Sequence, residues 1–372
     1  TVRGGGYSLA LVSTVRSLIT GAVVLVPTIA MGITMPMLAR VVADDLEASE
    51  ASKRSLSLLY AINTAGGALG ALLSAYVVLP WLGVYATMRA AAIVNVAIGA
   101  VAIYVSRQTP DLTVATAGTS NERTSSESGS KDRGDVERWG LMLALAFASG
   151  LLVFAAEVVD THLLALLIGN SAYAFGLMLA VFLTCLSIGA TVAGRLERRL
   201  GRHALTAALA ISCAALLVGL PLWGQLPRIF LATGHRVSSW LGREVVRAGA
   251  AAVALALPTV CMGLTFPLLL RAVAGRADVG RRVGMLTAVN TVGSIIGSLV
   301  CGYWLLPAMG SQDSLRLIGL AFGVCAICAA WTQRGADQVR GLRIAAAGWA
   351  VAVGAMALLP AWDMKLMTNG AN

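Results

Sequence analysis

Charge is scarce in this chain: 12% of its 372 residues are Asp, Glu, Lys or Arg, while 58% are apolar. A soluble domain carries about a quarter charged residues, so the shortage excludes an ordinary water-soluble globule. Aromatics are also few, at 6%. Histidine occurs only as His162, His203 and His235, with no two at ligand spacing, so no metal site is expected. The six cysteines all fall in apolar runs and make no disulfide framework. Cys325 and Cys328 form a CxxC without a neighbouring base, and read as small buried hydrophobes. No strand leads into a glycine-rich phosphate turn, so no nucleotide cofactor is expected either.

Long apolar runs are what the chain has instead, with a mean hydropathy of +0.79. Ten candidate spans fall at about 19 to 39, 58 to 80, 87 to 105, 139 to 157, 171 to 193, 203 to 222, 249 to 270, 284 to 307, 314 to 331 and 344 to 360. A helix rises about 1.5 Å per residue and needs roughly 20 residues to cross about 30 Å of hydrocarbon. The expected fold is therefore an all-α polytopic membrane bundle whose first partner is the lipid bilayer.

The formal net charge of +10 is read as topology. If loops alternate, one side holds 40–57, 106–138, 194–202, 271–282 and 332–343, with 19 of the 28 basic residues, and that side is cytoplasmic. No soluble basic domain exists to bind nucleic acid. One loop departs from the rule: 224–248 carries Arg228, Arg236, Arg243 and Arg247 on the opposite side. Within it "HRVSSWLGREVVR" is read as an interfacial amphipathic segment, with Trp240 among the headgroups.

The polar stretch 108–138, mixed in charge, reads as a flexible linker. It separates a first transmembrane part, 1–107, with three spans, from a second part, 139–331, with six. Residues 332–372 hold a final apolar helix and the start of a further domain.

The two parts echo each other. "PTIAMGITMPMLAR" (27–40) and "PTVCMGLTFPLLLR" (258–271) match at eight of 14 positions. Downstream, "YAINTAGGALGALLSAYVVLPWLG" and "LTAVNTVGSIIGSLVCGYWLLPAMG" keep a constant offset of 227, pairing Asn63 with Asn290, Gly66 with Gly293, Gly70 with Gly297, Tyr76 with Tyr303 and Gly83 with Gly310. This reads as a duplicated three-helix unit. Three spans of the second part lack partners in the first, so three equivalents are expected before residue 1. Repeated helical units are a recurrent plan for secondary transporters.

These paired motifs, with Phe147 to Ala190 and "PAWDMKLMTNG" (360–370), resemble the bacterial fused major facilitator superfamily/spermidine synthases. The resemblance implies a transporter-like bundle in a bacterial inner membrane, followed by a polyamine aminopropyltransferase-like domain. It implies a small cationic metabolite such as a polyamine, moved or sensed by the membrane region. The alternative is a non-transporting anchor for the enzyme-like domain. Family members place Trp and Arg where this chain has Asp160 and His162.

Several residues stand out in the runs. Asn63 and Asn290 each need a polar partner in hydrocarbon, as interhelical glue or as lining of a substrate path. Tyr76 and Tyr303 divide the same way. Gly66, Gly70, Gly293 and Gly297 read as close helix packing. Pro36 and Pro267 interrupt their helices and bend them. Glu157, Asp160 and His162 cluster at a span end, either as a solvated terminus or as a cation or proton site.

Overall fold

A computed structural model describes residues 50–108, 129–234, 239–274, 278–333, 335–358 and 362, with scattered positions between 12 and 38. Pro36 lies outside the described residues, and the expected span at 19–39 is described at about half of its positions. Among the described residues the chain is entirely helical. We number the α-helices α1 (Glu50–Leu73), α2 (Leu79–Gln108), α3 (Gly129–Ile168), α4 (Ala172–Leu200), α5 (Ala204–Gly234), α6 (Trp240–Met262), α7 (Thr265–Val273), α8 (Val279–Val300), α9 (Leu306–Trp331) and α10 (Ala336–Leu358).

Apolar composition without an aqueous face leaves the backbone to satisfy itself, which is why helix runs nearly without break. By length and apolarity there are six membrane-competent stretches among the described residues, fewer than the ten spans expected from the sequence. Three stretches are 56, 58 and 53 residues long, about twice what one crossing needs. Each is interrupted partway. Gly83 and Gly310 adopt φ of 70° and 74°, open only to glycine at low cost, and break α2 and α9 near their starts. Gly201, with φ of 55°, ends α4 and a short 3-10 turn leads into α5.

Two single-turn π-helices, Ser74–Val78 and Cys301–Leu305, precede those glycine breaks. Pro80 and Pro307 follow them in sequence, where a missing N–H disturbs the regular ladder. Similarly, α6 stops at Met262 and α7 restarts at Thr265. Pro267 explains the site of that gap, because its ring excludes a bond to the carbonyl four residues earlier, on Gly263.

The helices pack most extensively as α3 on α8 and α1 on α4, with α5 against α9, α10 and α6. Phe182, Leu217, Leu255 and Phe322 lie in the core of the second part. By contrast α2 has no buried residue. Helix α3 begins at Gly129, inside the stretch expected to be linker. The described part of the segment around Trp240 forms the first turns of α6, capped by the Ser239 hydroxyl accepting from Gly242 N at 3.1 Å, and its residues 235–238 lie outside the described ones.

Helix α10 runs the length of the bundle beside α5. Asp337 meets Arg202 at its start, Gly348 lies against Ala210 midway, and beyond its end Trp362 donates Nε1–H to the Leu220 carbonyl at 3.1 Å. The Trp362 backbone N–H also reaches Gln312 Oε1 at 3.2 Å. Trp362 thus lies at the end of the bundle opposite Arg202.

Candidate functional site

The carboxylates of α3 come first, because charge inside a bilayer is costly and retained for a purpose. Asp160 is 3% exposed, and its Oδ2 has no hydrogen-bond partner among the described residues. Glu157, one turn earlier, is half-buried, and the two carboxylates interact electrostatically. Cys301, first residue of the second π-turn, lies within electrostatic reach of Asp160 and donates to the Ala155 carbonyl at 3.2 Å. His162 is exposed and takes the other face of the helix. The structure therefore brings Glu157 and Asp160 together and leaves His162 apart.

The paired asparagines part company. Asn290 Nδ2 donates to the Ala146 carbonyl of α3 at 2.8 Å, so its amide is satisfied across the α3–α8 contact. Gly293 and Gly297 lie on the same seam, where an added Cβ would run into the carbonyls of Phe147 and Leu151. Asn63 is exposed, and nothing lies within 4 Å of a Cβ built on Gly66 or Gly70. Close packing at Gly66 and Gly70 has no counterpart among the described residues. The face of α1 that carries them points away from α4, its main neighbour.

Tyr76 and Tyr303 differ as sharply. Tyr76 donates to Glu244 Oε2 at 2.7 Å, and Glu244 Oε1 accepts from Arg247 at 2.6 Å. Rings of Tyr173 and Trp240 stand 5.5 and 6.2 Å from that of Tyr76, closing an aromatic cluster over the carboxylate. This contact joins α1's π-turn to α4 and α6. Tyr303 is exposed. Glu244 was illegible in the sequence because it sits among four arginines of a stretch that reads as loop.

At the other end lies a second polar group. Arg271, 2% exposed, donates to Glu197, which Lys53 of α1 approaches at 3.7 Å. Gly194 leaves room for the guanidinium. Arg202 pairs with Asp337 at 2.7 Å and Arg282 with Asp278 at 2.7 Å. Arg282 holds the Asp278 carboxyl below its ordinary range. Residues from all five basic segments therefore gather at one end of the bundle. Only the pattern of basic loops hinted at this; the pairing of Glu197 with Arg271 had no sequence signal, since 74 positions separate them.

Along the α1–α4 contact the two parts meet closely. Ser187 donates to the Ala61 carbonyl at 2.8 Å, and a Cβ on Gly176 would collide with Ala75. On α7, Thr265 donates to the Met262 carbonyl at 2.8 Å and its hydroxyl lies 2.8 Å from that of Ser149. That arrangement gives the Met262 carbonyl, at the end of α6, a side-chain donor.

No group of three or more His, Cys, Asp or Glu fit to hold a metal occurs among the described residues. Residues 3–298 match the sequence model of the Major Facilitator Superfamily. No curated protein and no solved structure matches the chain. With a match over most of its length and an all-α, multi-pass membrane architecture, the chain belongs to the Major Facilitator Superfamily.

Proposed function

We propose that this is the transporter region of a spermidine synthase-like protein, moving a small cationic metabolite such as a polyamine across a bacterial inner membrane. The observation that carries the reading is Asp160: buried, with an unpartnered oxygen, beside Glu157 in a membrane helix. Such a pair attracts an ammonium group or exchanges a proton, and the two are alternatives for the same oxygen.

Ten spans and a duplicated unit belong to this reading. The three double-length stretches each fold back at their glycine breaks to give two crossings, and 19–39 supplies a further one. Duplication is supported by repeated backbone irregularity: the π-turns and the positive-φ glycines recur at the same 227-residue offset as Asn63 and Asn290. An aminopropyltransferase-like domain joined after 360–370 rests on sequence resemblance.

The test is uptake of labelled spermidine into proteoliposomes holding the protein, with an imposed proton gradient of either sign. Accumulation above empty liposomes, lost in Asp160→Asn and reduced in Glu157→Gln, supports the proposal. Equal uptake with and without protein sinks it. The second reading, a non-transporting anchor, is favoured by the close contact of Gly176 with Ala75, and the same null result would support it.

A further inference from the structure

A cavity of about 530 Å³ lies within the basic end of the second part, away from Asp160. Its polar lining includes Arg138, Arg202, Arg282 and Gln333 with a single carboxylate, Glu197, and its apolar wall includes Leu141 and Leu268. Lining residues come from α3, α4, α5, α7, α8 and α9 as well as the short turns between them.

The charge at this end does not cancel. Three cationic side chains of the lining, Arg138, Arg202 and Arg282, stand against its one carboxylate, Glu197, and the ion pairs behind them add Lys53 and Arg271 against Asp278 and Asp337, so the excess stays at two. Each carboxylate is already engaged: Glu197 by Arg271 and Lys53, Asp278 by Arg282, Asp337 by Arg202. Arg138 has no carboxylate partner among the described residues. Arg282 is held in place, its guanidinium 4.8 Å from the centre of the Trp139 ring. Gln333 is fixed too, by bonds of 3.2 Å to the Arg202 carbonyl and the Thr206 hydroxyl.

We infer that this cavity is an anion site for a phosphate group, with Arg138 and Arg282 as its principal donors. Guanidinium suits phosphate because its planar N–H groups meet two oxygens at once and stay charged at any working pH. Preorganisation by Trp139 lowers the ordering cost for Arg282. The excess of two positive charges matches a phosphate monoester, and also favours the phosphodiester of an anionic lipid. Basic pockets between membrane helices on the positively charged side are where lipid headgroups bind. The apolar wall beside the guanidinium groups accommodates what the phosphate is attached to. The inference is independent of the transport reading, because it uses none of the α3 carboxylates.

The experiment uses the whole chain in nanodiscs, read by thermal unfolding and by Trp fluorescence, with two arms. One replaces phosphatidylcholine in part by phosphatidylglycerol; the other titrates inorganic phosphate into pure phosphatidylcholine discs, with chloride matching the ionic strength. A rise in Tm in the lipid arm identifies a headgroup as the ligand, and a rise in the phosphate arm alone identifies a soluble phosphate. In either case Arg138→Gln should weaken apparent affinity about tenfold, as expected for one charge-assisted bond. Arg107→Gln, at the end of α2 and outside the lining, should leave it unchanged. No rise in either arm, a response that chloride reproduces, or equal affinity in Arg138→Gln would overturn the assignment.

Discussion

Tyr76 and Glu244, 168 positions apart, share a 2.7 Å hydrogen bond that ties the π-turn after α1 to the first turns of α6. Glu244 is 7% exposed, so its carboxylate depends on the two donors it has, Tyr76 and Arg247. Tyr76→Phe removes one donor and keeps the ring among Tyr173 and Trp240. Loss of a hydrogen bond to a buried charged acceptor costs about 1–3 kcal/mol. Unfolding of the detergent-solubilised protein should show that loss for Tyr76→Phe and a smaller one for exposed Tyr303→Phe. Equal effects would mean that the Glu244 contact contributes nothing.

Glycines paired by sequence should respond unequally to bulk. Gly293→Leu or Gly297→Leu places a side chain against the α3 backbone and should destabilise by about 1–3 kcal/mol or more. Gly66→Leu meets nothing within 4 Å among the described residues and should stay within about 0.5 kcal/mol of the parent. Thermal aggregation midpoints of the three variants decide it; a Gly66→Leu variant as damaged as Gly293→Leu would show that the open face of α1 is in fact covered.

Arg271 is almost fully buried and its charge is balanced by Glu197. Glu197→Gln removes the carboxylate that balances that charge, and breaking a buried pair costs about 3–5 kcal/mol, toward the lower figure here because Glu197 is 23% exposed. The double variant Glu197→Gln with Arg271→Met should recover most of the loss, since the buried guanidinium goes with its carboxylate and only the partly exposed Lys53 loses a contact. A double-mutant cycle with no coupling between the two positions would refute the pairing.

The side on which the chain leaves follows from α10. It starts beside Arg202, at the end where the basic segments gather, and Trp362 is anchored near Leu220 at the far end. With basic loops in the cytoplasm, residues after Trp362 are expected on the outside. A single cysteine at Thr368 in a cysteine-free version should react with a membrane-impermeant thiol reagent in intact cells. Labelling only after the membrane is opened would reverse the orientation. An outside location would separate any following aminopropyltransferase-like domain from cytoplasmic nucleotide cosubstrates.

Composition by itself determined that the chain is helical and lies in a bilayer, because apolar length has one stable solution where water is absent. Local sequence also marked one irregular point, Pro267 after the α6–α7 gap, by its missing N–H; the breaks at Gly83 and Gly310 emerged from the structure, where each follows a proline and uses glycine's freedom. Which copy of the repeated asparagine bonds across a helix contact was decided only by tertiary structure. Asn63 and Asn290 occupy the same place in the same local pattern, yet Asn290 reaches the Ala146 carbonyl and Asn63 is exposed. The cause is that a hydrogen bond across a helix contact depends on the neighbour's backbone, and nothing in a residue's own segment encodes the neighbour. The same holds for Glu197 with Arg271 and Tyr76 with Glu244, whose pairings exist because distant helices close on one another in a medium too poor in water to let a charge stand alone.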